Sequence, residues 1–303
     1  MKFTIYQESR IGRRSSNQDR IAHCYSRDAL LMVLADGMGG HLHGEVAAQI
    51  AIQYITESFQ REARPRLTDP FRFLSNGINN AHHAITDYSV AHDMRDAPRT
   101  TCVVCVIQDN IAYWAHVGDS RLYLLRNQKV SMKTHDHSRV QMMIDDGLIT
   151  PEEAKRHPAR NRVYSCLGGD VAPQVDFSRK TPLLLGDTLV LCTDGFWAPL
   201  SNEMIAQGFS VESVTGATQK LMDRAEKLGG ESCDNLSVIA VNWEDGFKED
   251  STGSIETATM PIGAHTTQMD SFRRNRPREA ELTDDDIERA IAEIQNAINK
   301  YSK

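Results

Sequence analysis

Leu30-Leu31-Met32-Val33-Leu34-Ala35-Asp36-Gly37 sets an apolar run of strand length directly against an acid and a glycine. The arrangement returns at Leu189-Val190-Leu191-Cys192-Thr193 before Asp194-Gly195, and Asp234-Asn235 stands immediately ahead of the run Leu236 to Val241. Each places a short carboxylate at the end of a buried strand, a rigid mount for a hard cation. A single Asp-Gly pair is more often a turn than a ligand. Three such acids, beside the glycine-rich Asp36-Gly37-Met38-Gly39-Gly40-His41, favour a metal centre, because glycines let backbone carbonyls approach an ion closely.

Working outward, further strand-length apolar runs occur at Lys2 to Gln7, Thr101 to Ile107, Ile111 to Val117 and Arg121 to Leu125. Gln108-Asp109-Asn110 and Arg126-Asn127-Gln128 read as hairpin turns. Helical periods place Ala47, Ile50, Ala51, Tyr54 and Ile55 on one face, and Val214, Ala217, Leu221, Ala225 and Leu228 on another. A helix pair is expected between Pro70 and His92. Strands in consecutive hairpins with helices in blocks predict an α+β fold, in which two stacked antiparallel sheets carry helices on their outer faces. Ser138 to Arg162, with Gly147, Pro151 and Pro158, reads as a polar helical insertion that projects from the core.

After Trp243 the composition changes, and residues 244–282 read as a flexible linker poor in apolar residues. Thr283 with Asp284, Asp285 and Asp286 suits a helix N-terminus, and Ile287, Ile291, Ile294 and Ile298 form a narrow stripe. The expected organisation is a catalytic domain over 1–243, a linker over 244–282 and an amphipathic helix over 283–303. Such a stripe would dock on this domain, a second copy or a partner. Thr257, Thr259, Thr266 and Thr267 in the linker would suit modification by a kinase.

The chain has 303 residues, 40% of them hydrophobic, and a net charge of -7. Its pI of about 5.9 leaves no basic field for nucleic acid or an anionic membrane. No apolar run reaches membrane-spanning length, and the opening residues lack a signal-peptide core, so a cytoplasmic location is expected. The six cysteines sit largely in apolar runs and predict no disulfides. Cys102 and Cys105 have CxxC spacing, but on a strand they face opposite sides. Ser120 in Gly118-Asp119-Ser120, with His116 nearby, lacks the elbow of a serine nucleophile, since a strand follows it.

Asp19 in Asn17-Gln18-Asp19-Arg20 and Asp119 in His116-Val117-Gly118-Asp119-Ser120-Arg121 extend the set of acids. Oxygen-only coordination suits magnesium or manganese better than zinc. Two such ions about 3.5–4 Å apart would activate a water for in-line attack at phosphorus.

On Gly12 to Arg20, Leu34 to His41, Thr100-Thr101, Ala115 to Leu122, Thr134 to Ser138, Leu167 to Asp170, Leu191 to Trp197 and Asp234 to Ser237, in that order, the sequence resembles the metal-dependent Ser/Thr protein phosphatases of type 2C (PPM), most of all their compact bacterial members. The resemblance covers roughly residues 1 to 243 and implies hydrolysis of phosphoserine and phosphothreonine on proteins, opposing a Ser/Thr kinase. It implies that Asp36 bridges two Mn2+ or Mg2+ ions, that the Gly37 carbonyl binds the first, and that Asp194 and Asp234 bind the second. Asp119 with Asp194 matches a third ion position, Asp19 would orient water held by the ions, and Arg14 would hold the substrate phosphate. One departure is Met38, at a position where some members carry a histidine general acid; His41 and His43 lie close by. The insertion resembles the family's flap, so Lys155, Arg156, Arg160 and Arg162 would meet acidic or phosphorylated substrates. The alternatives are a catalytically weak binding or scaffolding member of the same fold, acting through its C-terminal helix, and a metal-dependent nuclease or nucleotide phosphatase.

Overall fold

Strand β3, Ala29–Met38, carries no polar residue before Asp36 because both of its faces are covered. Leu30, Met32 and Leu34 enter a core shared with the second sheet, whereas Leu31, Val33 and Ala35 enter a core shared with helices. Alternate side chains of a strand point to opposite faces, so a strand in the middle layers of a four-layer stack must be apolar throughout. Each fully buried leucine contributes about 1.5–3 kcal/mol of transfer free energy. The computed structural model describes residues 1–38, 43–94 and 96–245. The linker, the terminal helix and the modifiable threonines expected beyond 245 lie outside the described residues, as does His41.

The elements, in chain order, begin with β1 (Phe3–Arg10), β2 (Asp19–Tyr25) and β3. Helices α1 (Gly44–Glu62) and α2 (Pro70–Ala91) follow, then β4 (Arg99–Thr100), β5 (Cys102–Gln108), β6 (Ile111–Val117), β7 (Arg121–Arg126) and β8 (Lys129–Lys133). The insertion holds α3 (Arg139–Asp145) and α4 (Pro151–Ala154). The chain continues through β9 (Asp176–Phe177), β10 (Thr181–Pro182), β11 (Thr188–Cys192), α5 (Asp194–Trp197), α6 (Asn202–Val211), α7 (Val214–Gly229) and β12 (Leu236–Trp243).

One antiparallel sheet has the order β1-β12-β11-β7-β8, and the other has β10-β6-β5-β3-β2, with β4 added beside β3 and β9 beside β6. Ile239, Val241, Trp243, Leu189 and Leu191 from the first sheet meet Leu30, Met32, Leu34, Val103 and Trp114 from the second. Helices α1 and α2 cover the outer face of the second sheet, and α5, α6 and α7 cover that of the first. The predicted sandwich is therefore present. Asp109 and Asn110, and then Asn127 and Gln128, take positive φ in successive pairs, which is the backbone of a tight primed hairpin turn. Cys102 packs toward the helices and Cys105 toward the other sheet, on opposite faces.

Two expectations need correction, and strands β2 and β8 are additions to the sequence reading. The region from Pro70 to His92 holds one helix, not a pair, because Phe73, Leu74, Ile78, Ala81 and Ile85 form an unbroken buried face that starts at an Asp69 N-cap with Pro70 behind it. Leu228 is exposed in the last turn of α7 instead of joining its apolar face. Strands β2 and β8 lie at sheet edges, and their polar residues hid them: Asp19, Arg20 and His23 interrupt the first, while Lys129 and Lys133 bracket the second.

Candidate metal centre

Pairing of β2 with β3 sets Asp19 directly opposite Asp36. Asp194 opens α5 immediately after β11, Asp234 precedes β12, and Asp119 lies in the turn between β6 and β7. The two sheets therefore deliver five aspartates to one end of the sandwich. Burial, and then repulsion from Asp19, Asp194, Asp119 and Asp234, holds the Asp36 carboxyl well above the usual carboxylate range. Burial followed by Asp194 does the same for Asp119. Asp19 is pushed up to about 7, chiefly by burial, and Asp194 to about 6 by burial and by Asp234. Mutual elevation of this kind requires the acids to share a site, because screened charges at long range would not feel each other.

The backbone around Asp36 is clamped. Its N–H donates to Thr101 Oγ1 at 3.0 Å, and its carbonyl accepts from the Thr101 N–H and the Thr100 hydroxyl, each at 2.9 Å. Thr101 Oγ1 in turn lies 2.7 Å from Ser120 Oγ, beside Asp119. That contact occupies the Ser120 hydroxyl, while His116 Nε2 bonds the His135 carbonyl at 2.7 Å, so no serine nucleophile is assembled. Gly37 has no room for a side chain, since a Cβ there would sit 2.2 Å from the Gly44 carbonyl oxygen.

Arg14 rides on a loop that Asn235 organises. The Asn235 amide donates to the carbonyls of Ile11 and Ser16, and its oxygen accepts the Gln18 N–H. Gly12 takes φ +60 in that loop, and a Cβ would meet the Asp234 carbonyl oxygen at 2.0 Å. Arg14 Nη2 reaches Asp234 Oδ2 at 2.7 Å. The sequence-predicted Arg14, Asp19, Asp36, Asp119, Asp194 and Asp234 thus come together, and Gly37 follows Asp36 on β3, one residue before the strand ends.

The donor chemistry fits a divalent cation. Asp19 Oδ1 is buried with no hydrogen-bond partner, a carboxylate oxygen left bare toward a concentration of negative charge. Oxygen donors alone suit magnesium or manganese. A second cluster, His116, His137 and Asp176, also brings ligand-type atoms within 4.8 Å of one another. There the Gly118 N–H donates to His137 Nδ1 at 3.2 Å, which assigns the ring proton to Nε2. That proton faces Asp176 Oδ2 at 3.3 Å, within ion-pair range though off hydrogen-bond alignment, and leaves no lone pair for a metal.

The family model described as "Protein phosphatase 2C" matches residues 6–229. The chain belongs to the protein phosphatase 2C family. The serine/threonine protein phosphatase PstP of Mycobacterium tuberculosis is 32% identical to this type 2C chain over 233 residues, which are 77% of this chain and 43% of the relative. The chain thus spans less than half the length of that mycobacterial relative. Protein phosphatase PhpP of Streptococcus pneumoniae is 29% identical over 235 residues, covering 77% of this chain and 95% of the relative. Among solved structures, the M. tuberculosis PstP/Ppp crystal structure aligns with a TM-score of 0.71 and 31% identity over 80% of this chain and 99% of that one. The PstP catalytic domain in complex with 2 manganese ions aligns with a TM-score of 0.68 and 30% identity, over 80% of this chain and 99% of that one.

In this type 2C chain, Met38 stands across from Arg99, and His43 is exposed with no cap hydrogen bond. Lys155, Arg156, Arg160 and Arg162 are all exposed on the insertion, whose base is closed by a bridge from Ser138 to Val163. No helix of the described residues is long and apolar enough to cross a membrane. Sequence reasoning passed over several side chains that shape the site. Arg121 makes paired contacts with Asp136 at 2.8 and 2.7 Å and stacks on Trp197, whose Nε1 donates to the Asp119 carbonyl. Their signal lies in the Ala115 to Leu122, Thr134 to Ser138 and Leu191 to Trp197 motifs, which hold Arg121, Asp136 and Trp197.

The carboxyl shifts set a pH dependence. A folded-state value raised to about 6 or 7 means that the native chain binds these protons more tightly than the unfolded one does. In chelator, the stability they contribute is present at low pH and lost as pH rises through about 6 to 7. Mn2+ binds the ionised form, so the Tm gain on adding Mn2+ is expected to be larger at about pH 8 than at about pH 5. Thermal melts with and without chelator check this, and equal gains at both pH values would contradict it.

Proposed function

We propose that the chain hydrolyses phosphoserine and phosphothreonine on proteins, using a water activated at two Mn2+ or Mg2+ ions. The single observation carrying this reading is the convergence of Asp19, Asp36, Asp119, Asp194 and Asp234 beside Arg14 within a type 2C phosphatase fold. The 2 manganese ions in the PstP catalytic domain support it. The carboxylates of Asp36, Asp119, Asp194 and Asp234 and the Gly37 carbonyl would hold the ions. When bound, such ions supply positive charge to the phosphoryl oxygens and make water a nucleophile near neutral pH.

The remaining steps belong to the protein. Arg14 offers a planar fork that grips two phosphate oxygens and aligns phosphorus for attack. Asp19 orients the attacking water through its bare Oδ1. Met38 offers no proton to the departing alkoxide, so the leaving group takes its proton from water. Phosphorylated proteins are the substrates and a Ser/Thr kinase is the counterpart, in the cytoplasm; the catalytic unit is 1–243. A catalytically silent module is not favoured, since every acid that the family pattern requires is present.

Turnover compared on phosphopeptides, nucleotides and oligonucleotides, with Mn2+ and then with chelator, tests the reading. Phosphopeptides should be preferred and chelation should abolish the activity. Preference for nucleotides, or activity that survives chelation, would overturn it.

A further inference from the structure

Asp19 stands on the same sheet as Asp36, yet the groups that hold its carboxylate belong to the other sheet. Thr193 Oγ1, at the end of β11, donates to Asp19 Oδ2 at 2.9 Å. The Ser237 hydroxyl on β12 favours the ionised form of the same carboxylate, and the Ser237 N–H donates to Thr193 Oγ1 at 3.0 Å. The register of β1 on β12 sets Ser9 opposite Ser237, with the two hydroxyl oxygens 2.8 Å apart. Asn17 Nδ2 donates to Ser9 Oγ at 2.8 Å, while Asn17 Oδ1 accepts the N–H of Asp19 itself at 3.1 Å.

The ends of this chain dictate the direction of every proton in it. An amide nitrogen only donates, the Asp19 carboxylate in its ionised, cation-binding form only accepts, and each hydroxyl has one proton to give. Asn17 therefore donates to Ser9, Ser9 to Ser237, and Ser237 to Asp19. Thr193, whose oxygen already receives the Ser237 N–H, gives its proton to Oδ2. All the hydroxyl protons point at one carboxylate. Asp19 is 2% exposed, and its other oxygen, Oδ1, has no partner. The result is a buried carboxylate anchored through one oxygen, with the second aimed and bare.

We propose that Ser9, Ser237 and Thr193 are positioning residues, a one-way chain of hydroxyl donors across the two sheets that fixes the plane of the Asp19 carboxylate and presents Oδ1 to the cation site. This rests on the reading of Asp36, Asp194 and Asp234 as cation ligands. Ser9 is the informative member, because it touches Asp19 only indirectly, through Ser237 on one side and Asn17 on the other.

The test uses the full chain, freed of metal and titrated with Mn2+ by calorimetry, alongside steady-state kinetics on a phosphopeptide. Partners that orient a ligand through hydrogen bonds typically contribute about 10–100-fold to metal affinity or activity. Ser237→Ala and Thr193→Val should weaken Mn2+ binding and lower kcat within that range, and Ser9→Ala should do so by roughly three- to tenfold, toward its lower end. KM should hold, because none of the three faces the substrate. Thr193→Ser and Ser9→Thr, which keep the hydroxyl, should restore both quantities. Folded Ser9→Ala and Ser237→Ala proteins with Mn2+ affinity and kcat within about twofold of the parent would overturn the proposal, as would failure of the hydroxyl-keeping variants to restore them. Mn2+ affinity that falls in the variants while the parent turns over no phosphopeptide would sink the phosphatase reading and leave this one standing. A parent chain that binds no Mn2+ would remove both.

Discussion

Asp36→Asn is expected to cut turnover about a thousandfold while making the metal-free chain harder to melt. The loss follows from charge, since asparagine keeps the shape of the side chain but gives the proposed cation site one neutral oxygen in place of an anion. Charge stabilisation by bound cations is worth several kcal/mol, and about 4 kcal/mol corresponds to roughly a thousandfold in rate. The stability gain has the same origin. Asp36 is held among Asp19, Asp194, Asp119 and Asp234, whose repulsion raises its carboxyl well above the usual range. A neutral amide removes one member of that cluster and can donate to its neighbours. Relief of functional strain of this kind is commonly worth about 0.5–2 kcal/mol, or roughly 1–8 °C in Tm for a domain of this size. Melts in chelator at about pH 8, with kinetics in Mn2+, check both halves. Undiminished turnover, or a lower metal-free Tm, would contradict the account.

Arg14→Ala is expected to lower kcat/KM on phosphopeptides by about 30–100-fold, because hydrogen bonds to a charged group are worth about 1.5–3 kcal/mol and the upper half of that range corresponds to this loss. Arg14→Lys keeps the charge and loses the fork, so it should recover only part of the loss. In the present structure Arg14 is engaged with Asp234 at 2.7 Å, and both side chains remain partly exposed, so the pair itself contributes little to stability. Removing the arginine frees an Asp234 oxygen. Mn2+ affinity should therefore be unchanged or tighter in Arg14→Ala while phosphopeptide turnover falls. Parallel loss of Mn2+ binding would assign Arg14 to holding the cation site together, not to the phosphate.

Much of this was legible before any coordinates, and the reason is local. Leu30 to Ala35 and Leu189 to Cys192 are apolar at every position because two layers cover each strand, and that imprint survives in one dimension. An acid placed where such a strand stops, at Asp36 or Asp194, marks the end of burial. The hairpin turns were legible for the same reason, since Asp109-Asn110 and Asn127-Gln128 must take positive φ by themselves.

The edge strands β2 and β8 are not legible in the sequence, because a strand partnered on one side only relaxes the apolar pattern, as Arg20 and His23 do in β2. The chain of hydroxyls behind Asp19 had no imprint at all. Ser9 and Ser237 are 228 residues apart and meet only because β1 registers on β12, a pairing set by the two whole strands and not by either serine. Sequence alone determined which residue types stand at strand ends, and hence the metal chemistry, because burial and turn geometry act on neighbours along the chain. The tertiary structure alone decided which hydroxyls and amides surround each acid, because a hydrogen bond depends on the distance between atoms that only the packing of two sheets brings within 3 Å.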